Sequence, residues 1–157
     1  IAGAIGATLG ASPGEHAVVL CGDGAFLMGG MEIHTAVELG LPVLFVVFNN
    51  GAHGMCVTRQ ELYFGGRVEC ARYDGVDVAA VVRGLAGPDR LWVGHAATDA
   101  ELAVELAAYH QRRRPGPGVL ELRLSREQVP PFTPFLPADA ETYIMPAVST
   151  ARGQRAA

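Results

Sequence analysis

The residues best suited to chemistry in this chain are one acid and one amide, Asp23 and Asn50. Asp23 stands between Gly22 and Gly24, and Asn50 is the second residue of an Asn-Asn pair. One carboxylate and one amide are hard oxygen ligands, too few to enclose an ion. Such a pair suits Mg²⁺ that takes its other ligands from water, a backbone carbonyl and phosphate groups. The glycines leave backbone N–H groups accessible to phosphate, and the positive end of a following helix favours the same charge.

Two apolar runs, 17–21 and 43–48, must position these side chains, because each run ends just before one of them. Continuous apolar runs without polar alternation are typical of strands buried on both faces of a parallel sheet. Between the runs, 30–39 has the spacing of a helix that Gly40 can end. A right-handed strand–helix–strand unit opens both strand ends on one edge of the sheet. If the strands are neighbours, about 5 Å apart, the acid and the amide meet there.

The remaining pattern predicts an α/β fold, a three-layer sandwich with a mainly parallel central sheet and helices on both faces. Asp77 and Thr98 are each placed to cap the start of a helix, and 91–96 is a third strand. Leucines alternate with charged residues along 120–124, which predicts a strand with one wetter face. The segment 60–72 has no clear periodicity and is predicted to be a long mobile loop.

Gly-Asp-Gly, a helix and a strand, and then Asn-Asn about thirty residues later resembles the signature of enzymes that depend on thiamine diphosphate (ThDP). The segment 4–7 is similar to the helix before that signature, and 50–55 is similar to the loop after it in acetolactate-synthase-like enzymes. The resemblance covers about residues 1–124 and implies the ThDP-binding fold of the C-terminal diphosphate-binding domain, N-terminally truncated. Two ordinary turns are the alternative, and the shared spacing of the motifs argues against it.

The resemblance also implies roles for individual residues. The side chains of Asp23 and Asn50, with the Ala52 carbonyl, would bind Mg²⁺ against the diphosphate of the cofactor. His53 follows these ligands in a glycine-flanked loop and is the candidate catalytic residue in this chain, with a surface loop histidine as the alternative. The residues expected to contact the cofactor are Gly22, Asp23, Gly24, Ala25, Phe26, Asn50, Ala52, Gly54 and Met55. The glutamate that activates the cofactor in this family is expected outside this chain.

Composition excludes several other kinds of site. All 12 basic residues are arginine, so this chain holds no P-loop lysine and no lysine for a Schiff base. None of its serines lies in a G-x-S-x-G motif. The net charge is −4, which gives no electrostatic case for nucleic acid, and Arg112–Arg114 are expected to complement a helix dipole.

Length and cysteine usage indicate the kind of protein and its compartment. A chain of 157 residues fits one domain with a real core. Three cysteines without CxxC spacing suit a reducing compartment, so we expect a cytoplasmic protein. No apolar stretch reaches the ~20 residues of a membrane span, and no membrane partner is expected.

Two regions follow from this pattern. Residues 1–125 are predicted to be the ThDP diphosphate- and Mg²⁺-binding domain, incomplete at its N-terminus. Residues 126–157 are rich in proline and also carry aromatic and aliphatic side chains, which predicts an extended arm that packs on its own sheet or on a partner. Because the chain begins where the family has a helix in progress, we expect a piece of a longer protein.

The leading hypothesis for function is a domain or subunit of a ThDP enzyme that acts on 2-oxo acids, by decarboxylation with carboligation as in acetolactate synthase. A simple 2-oxo acid decarboxylase subunit, a non-catalytic ThDP-fold scaffold or regulatory module, and an unrelated flavodoxin-like binder of a phosphorylated ligand are the alternatives. The resemblance implies a pyrimidine-binding domain or subunit as partner, in a homo- or hetero-oligomer. The 2-oxo acid and the acceptor would be set largely by that partner.

Overall fold

The chain alternates short helices and strands in a computed structural model that describes residues 1–112 and 116–126. The strands are β1 (Ala17–Gly22), β2 (Val43–Asn49), β3 (Trp92–Ala96) and β4 (Gly118–Arg123). The helices are α1 (Ala2–Leu9), α2 (Asp23–Gly29), α3 (Ile33–Leu39), α4 (Gly54–Tyr63), α5 (Val78–Arg83) and α6 (Asp99–His110), with one 3₁₀ turn at Gly30–Glu32.

The four strands form one sheet, in the order β1–β2–β4–β3, and every pair is parallel. In the register of β1 and β2, Gly22 lies beside Phe48. Asp23 and Asn49 therefore come next at the same edge, which is the juxtaposition that the strand–helix–strand pattern predicts. The α/β class and the parallel central sheet are confirmed.

One face of the sheet carries most of the core. The side chains of Val43, Phe45 and Val47 point to this face from β2, because alternate residues of a strand share a face. Helices α1, α3 and α5 cover them with apolar side chains that include Ile5, Ile33, Val78 and Val82. Burial of these apolar side chains stabilises the unit of β1, α3 and β2.

The described residues cover the other face only in part. Helix α6 packs Leu102 and Leu106 against Leu44, Val46 and Leu120, which gives the three-layer arrangement predicted from sequence. The cover does not extend over the outer strand β1. There Val18 is 62% exposed and Leu20 is 68% exposed. The expectation that run 17–21 is buried on both faces is wrong, because within the described residues β1 is an edge strand.

Three further expectations need correction. The helix predicted at 30–39 is the 3₁₀ turn followed by α3, and Gly40 ends it with a φ of +60°. The loop predicted at 60–72 begins only after the last turn of α4. The wetter face predicted for 120–124 is wrong at Glu121, whose side chain is fully buried among hydrogen-bond donors.

The two predicted helix caps are present. The Asp77 carboxylate accepts a hydrogen bond from Ala80 N at 2.7 Å at the start of α5. The Thr98 hydroxyl accepts one from Glu101 N at the start of α6. These bonds satisfy N–H groups that have no partner within the helix.

The chain beyond α6 is described in part. Arg112 donates to the carbonyls of Gly116 and Pro117, so this first member of the arginine triplet binds its own backbone rather than remaining a free charge. Arg113, Arg114 and residues 127–157 of the arm predicted at 126–157 lie outside the described residues. In the described part of the chain, no helix has the length and apolar character needed to cross a membrane.

Candidate functional site

Asp23 joins the two sequence motifs at the edge of the sheet. It opens α2 directly after β1, and it is only 1% exposed. One carboxylate oxygen, Oδ1, accepts a hydrogen bond from Gly24 N at 2.9 Å, and Oδ2 accepts one from Gly51 N at 2.7 Å. The acid of the first motif is therefore bonded to the loop of the second, as the sequence spacing requires.

The loop after β2 is a tight turn built around Gly51. Gly51 has a φ of +67°, which a residue with a side chain rarely adopts. The Asn50 side chain accepts a hydrogen bond from Ala52 N at 3.1 Å and so closes a local turn. The turn therefore places Asn50 and Ala52 next to Asp23 at the edge of the sheet.

A short bridge holds the loop from outside. Ala52 pairs with Arg72 in an isolated antiparallel bridge. Its two hydrogen bonds run from His53 N to Ala71 O and from Tyr73 N to Gly51 O. Neither bond uses the Ala52 carbonyl, so this oxygen stays outside the pairing and remains suited to the ligand role predicted for it.

His53 lies against the phosphate-loop glycine. A Cβ on Gly24 would clash with the His53 ring, coming within 2.8 Å of its Cε1 atom. The ring also meets Tyr73 edge-on, with centroids 5.3 Å apart. His53 therefore belongs to the same cluster as Asp23, at the end of the site predicted to bind phosphate. A catalytic role for it stays a prediction.

Tyr73 is a site residue that the sequence analysis missed. Its hydroxyl is buried and forms no hydrogen bond of acceptable geometry in the described structure. Burial, then the charge of the neighbouring Asp23 carboxylate and a weak interaction of the hydroxyl with it that falls short of a regular hydrogen bond, raise the pKa of this hydroxyl well above its ordinary value. An unsatisfied buried donor is costly in a folded protein. Its position beside Asp23 suits a group that would be satisfied by a bound ligand or its water.

Arg126 is a second residue that sequence reasoning did not find. Its Nε donates to Asn50 O at 3.1 Å, and a terminal nitrogen donates to Tyr73 O at 2.7 Å. The guanidinium group also packs over Gly51, where it would lie 2.5 Å from an added Cβ. No local pattern marks this role, because the contacts join residues more than fifty positions apart.

The other residues predicted to contact a cofactor differ in how far they are exposed to a ligand. Gly22 has open space around it, and the Ala25 side chain is exposed. Gly54 lies close to the Asn50 amide, and Met55 is 61% exposed at the start of α4. Phe26 is different: its ring is buried in the core against Gly30, so only its backbone is available to a ligand.

The donor set fits a metal that depends on other ligands. Among the residues that the structure describes, no group of three or more His, Cys, Asp or Glu side chains could hold an ion. The oxygen donors at the sheet edge are one carboxylate, one amide and one free carbonyl. Mg²⁺ tolerates such a partial protein shell when water and phosphate complete it. The unsatisfied Tyr73 hydroxyl agrees with a site that is completed from outside.

Comparison with known proteins gives the family. Residues 1–122 match the model of the thiamine pyrophosphate enzyme C-terminal TPP-binding domain, TPP being another name for ThDP. Acetolactate synthase of Bacillus subtilis is 39% identical over 75 residues, which cover 48% of this chain and 13% of the relative. The large subunit of acetolactate synthase isozyme 1 of Escherichia coli is 30% identical over 140 residues, which cover 88% of this chain and 24% of the relative.

A solved structure confirms the fold. The thiamine diphosphate-dependent 4-hydroxybenzoylformate decarboxylase of Rhodococcus jostii RHA1 superposes with a TM-score of 0.64 at 24% identity, over 78% of this chain and 22% of that protein. Each of these relatives is several times longer than the matched region, so the chain corresponds to one domain of them. The chain belongs to the thiamine pyrophosphate enzyme family and corresponds to its C-terminal TPP-binding domain.

Proposed function

We propose that this chain binds the diphosphate of ThDP through Mg²⁺ and serves an enzyme that decarboxylates a 2-oxo acid and ligates the product to a second carbonyl compound. The observation that carries the proposal is the buried Asp23 carboxylate. It is bonded to Gly51 N and lies beside the Asn50 turn, the unused Ala52 carbonyl and the unsatisfied Tyr73 hydroxyl. The acetolactate synthases among the relatives support the carboligation.

Each residue has a defined part in this proposal. Among the three proposed protein ligands Asp23 supplies the only carboxylate, and so it offsets one of the two positive charges of the ion. Asn50 and Ala52 add neutral oxygens from the turn. The backbone N–H groups at Gly22 to Phe26 bind phosphate oxygens, except that of Gly24, which already donates to Asp23 Oδ1. Gly54 and Met55 line the approach beyond them. His53 lies over Gly24 and excludes water from the phosphate end.

When bound, ThDP supplies a carbon nucleophile and an electron sink for loss of CO₂. The residues of this chain hold the cofactor at its diphosphate end and leave the reacting end to another surface. We therefore propose that a pyrimidine-binding domain or subunit contributes the activating glutamate, so that the active site lies at an interface in an oligomer. The chain spans 13% and 24% of the two relatives compared, which leaves room in them for such a domain.

A simple 2-oxo acid decarboxylase is the second candidate. The residues assigned here bind the part of the cofactor that both reactions share, so the geometry of this chain favours neither. Product analysis of the complete enzyme separates them, because carboligation joins the decarboxylated fragment to the second carbonyl compound and yields an α-hydroxy ketone, whereas simple decarboxylation yields an aldehyde. A non-catalytic module is disfavoured by the intact Asp23 and Asn50.

Calorimetry of ThDP binding tests the proposal. The 157-residue chain is titrated with ThDP in the presence of Mg²⁺ and again with the metal chelated. We expect binding that needs Mg²⁺ and that Asp23→Asn abolishes, while Asn50→Ala weakens it less because water can replace a neutral ligand. Asp99→Asn, at an exposed acid in the first turn of α6, is the matched control and should bind as the wild type does.

Two results of this titration would contradict the proposal. Binding that is independent of Mg²⁺, or an unchanged affinity in Asp23→Asn, would remove the metal assignment. Circular dichroism of each variant, run in parallel, separates loss of binding from loss of fold.

A further inference from the structure

Glu121 is a buried carboxylate that the proposed function does not yet use. It lies on β4, between two other strands, and its side chain is 0% exposed. Burying a charge is costly unless hydrogen bonds and an opposite charge compensate for it. Oε1 accepts from Asn49 Nδ2 at 2.6 Å and lies 3.0 Å from Arg123 Nε, and Oε2 accepts from Ala79 N at 2.8 Å. The carboxylate is therefore fully held in one orientation.

Asn49 connects this carboxylate to the loop. Its Nδ2 donates to Glu121 Oε1 and also to Val76 O at 2.7 Å, so both hydrogens of the amide are engaged. An amide with both hydrogens engaged cannot turn over without setting its oxygen against the two acceptors, Val76 O and the Glu121 carboxylate. Its oxygen is thereby directed at Gly51 N, 3.3 Å away.

Gly51 N completes the connection to Asp23. The same N–H that points at the Asn49 oxygen donates to Asp23 Oδ2 at 2.7 Å. Among the described residues, four polar or charged side chains are buried, and three of them are Asp23, Asn49 and Glu121. These three side chains form one continuous hydrogen-bonded network at the sheet edge.

We propose that Glu121 is a positioning residue: it fixes the Asn49 amide and, through Gly51 N, the place of the Asp23 carboxylate and of the loop that carries Asn50 and Ala52. This inference rests on the proposed function, since the network ends on the proposed metal ligand. The first asparagine of the pair then acts as a structural clamp, and the second faces the ion. Changes to groups that orient metal ligands commonly lower metal affinity 10- to 100-fold.

A role confined to stability is the competing explanation, because Glu121 also receives the N–H of α5 and pairs with Arg123. The test therefore compares Glu121→Gln with Arg123→Gln. Glu121→Gln keeps the shape of the side chain, but its new NH₂ must face either the Asn49 amide or the Ala79 N–H. Arg123→Gln removes the partly exposed opposite charge, which lowers stability, but leaves the Asn49 bond in place, so it is the control for a loss of stability alone.

Two measurements are made on the 157-residue chain. The first is hydrogen exchange of the Gly51 amide by NMR without cofactor, which reads the network directly. The second is Mg²⁺-dependent ThDP affinity by calorimetry, at a temperature where every variant is folded. We expect Glu121→Gln to expose the Gly51 amide to exchange and to lower the affinity at least ten-fold. We expect Arg123→Gln to change neither by more than two-fold.

Asn49→Ala is the second variant, which keeps the test decisive if Glu121→Gln does not fold. It breaks the same link from the other side, and it should produce the same two effects. Protected Gly51 in either folded variant, or wild-type affinity in Asn49→Ala, would overturn the positioning role. If the wild type binds no ThDP, the proposed function fails, and the exchange measurement still decides whether Glu121 holds the loop.

Discussion

Adding one methyl group at Gly24 tests whether His53 is seated where the structure places it. In Gly24→Ala the new Cβ would clash with the His53 ring, within 2.8 Å of Cε1 and 3.3 Å of Cγ. Overpacking of this kind costs about 1–3 kcal/mol. The ring can rotate away, so we expect the lower part of that range. The gain from replacing glycine within α2 is about 0.5–1 kcal/mol and offsets part of the cost. The net loss of stability should be about 1 kcal/mol.

A double-mutant cycle isolates the contact. In a His53→Ala background the obstruction is gone, so Gly24→Ala should stabilise the chain by about 0.5–1 kcal/mol. The coupling between the two positions equals the overpacking cost that the second change removes, about 1–2 kcal/mol. The measurement is urea unfolding, with midpoints compared at a common slope.

The matched control is Gly6→Ala in α1, where an added Cβ meets nothing within 4 Å. It should be stabilising in both backgrounds. Additive effects of Gly24→Ala and His53→Ala would show that the ring does not rest on Gly24, and the assignment of His53 to the phosphate end would be withdrawn.

Three other predictions follow from the site and the fold. Tyr73→Phe should leave the free chain as stable or up to about 1 kcal/mol more stable, because it removes a buried hydroxyl without a partner. The same change should weaken Mg²⁺-dependent ThDP binding. Unfolding measures the first effect and calorimetry the second, and unchanged binding would contradict the second. The isolated chain should release no CO₂ from 2-oxo acids, and activity should return only with a pyrimidine-binding partner; turnover of ~1 s⁻¹ or more by the chain alone would refute a shared site. Burial raises the pKa of the Tyr109 hydroxyl above its ordinary 10.0. The stability that this group contributes is therefore present below pH 10.0 and is lost as the pH rises through the higher folded pKa. Tyr109→Phe should flatten this alkaline decline in unfolding midpoints, and an unchanged slope would contradict the prediction.

The proximity of Asp23 to the Asn50 loop was predictable from sequence, because few chain topologies are compatible with the pattern of strands and helix. Two apolar runs and one intervening helix leave a parallel, right-handed unit as the ordinary solution, and its strand ends then share an edge. Gly51, two residues beyond β2, completes the geometry locally. The spacing of the motifs was therefore enough to bring the main ligands together.

The supporting residues could not be found in the same way. Alternation along 120–124 indicated a wet face, and one strand alone does not reveal that Glu121 faces a buried amide from a neighbouring strand. Tyr73 is brought to the site by the bridge between Ala52 and Arg72, which pairs residues twenty positions apart in the chain. Such contacts are set by tertiary packing, and local periodicity carries no record of them.

The face of β1 that the described residues leave uncovered also determines how the isolated chain will behave at high concentration. Within the described residues, the outer edge of β1 presents free backbone donors and acceptors, with Val18 and Leu20 as apolar neighbours. Charged residues and proline usually discourage edge-to-edge pairing of strands, and β1 contains neither. We expect light scattering to rise steeply with protein concentration and Val18→Glu, at a side chain that contacts solvent, to suppress the rise. A colloidally stable form of that kind would make the titrations above practical at millimolar protein.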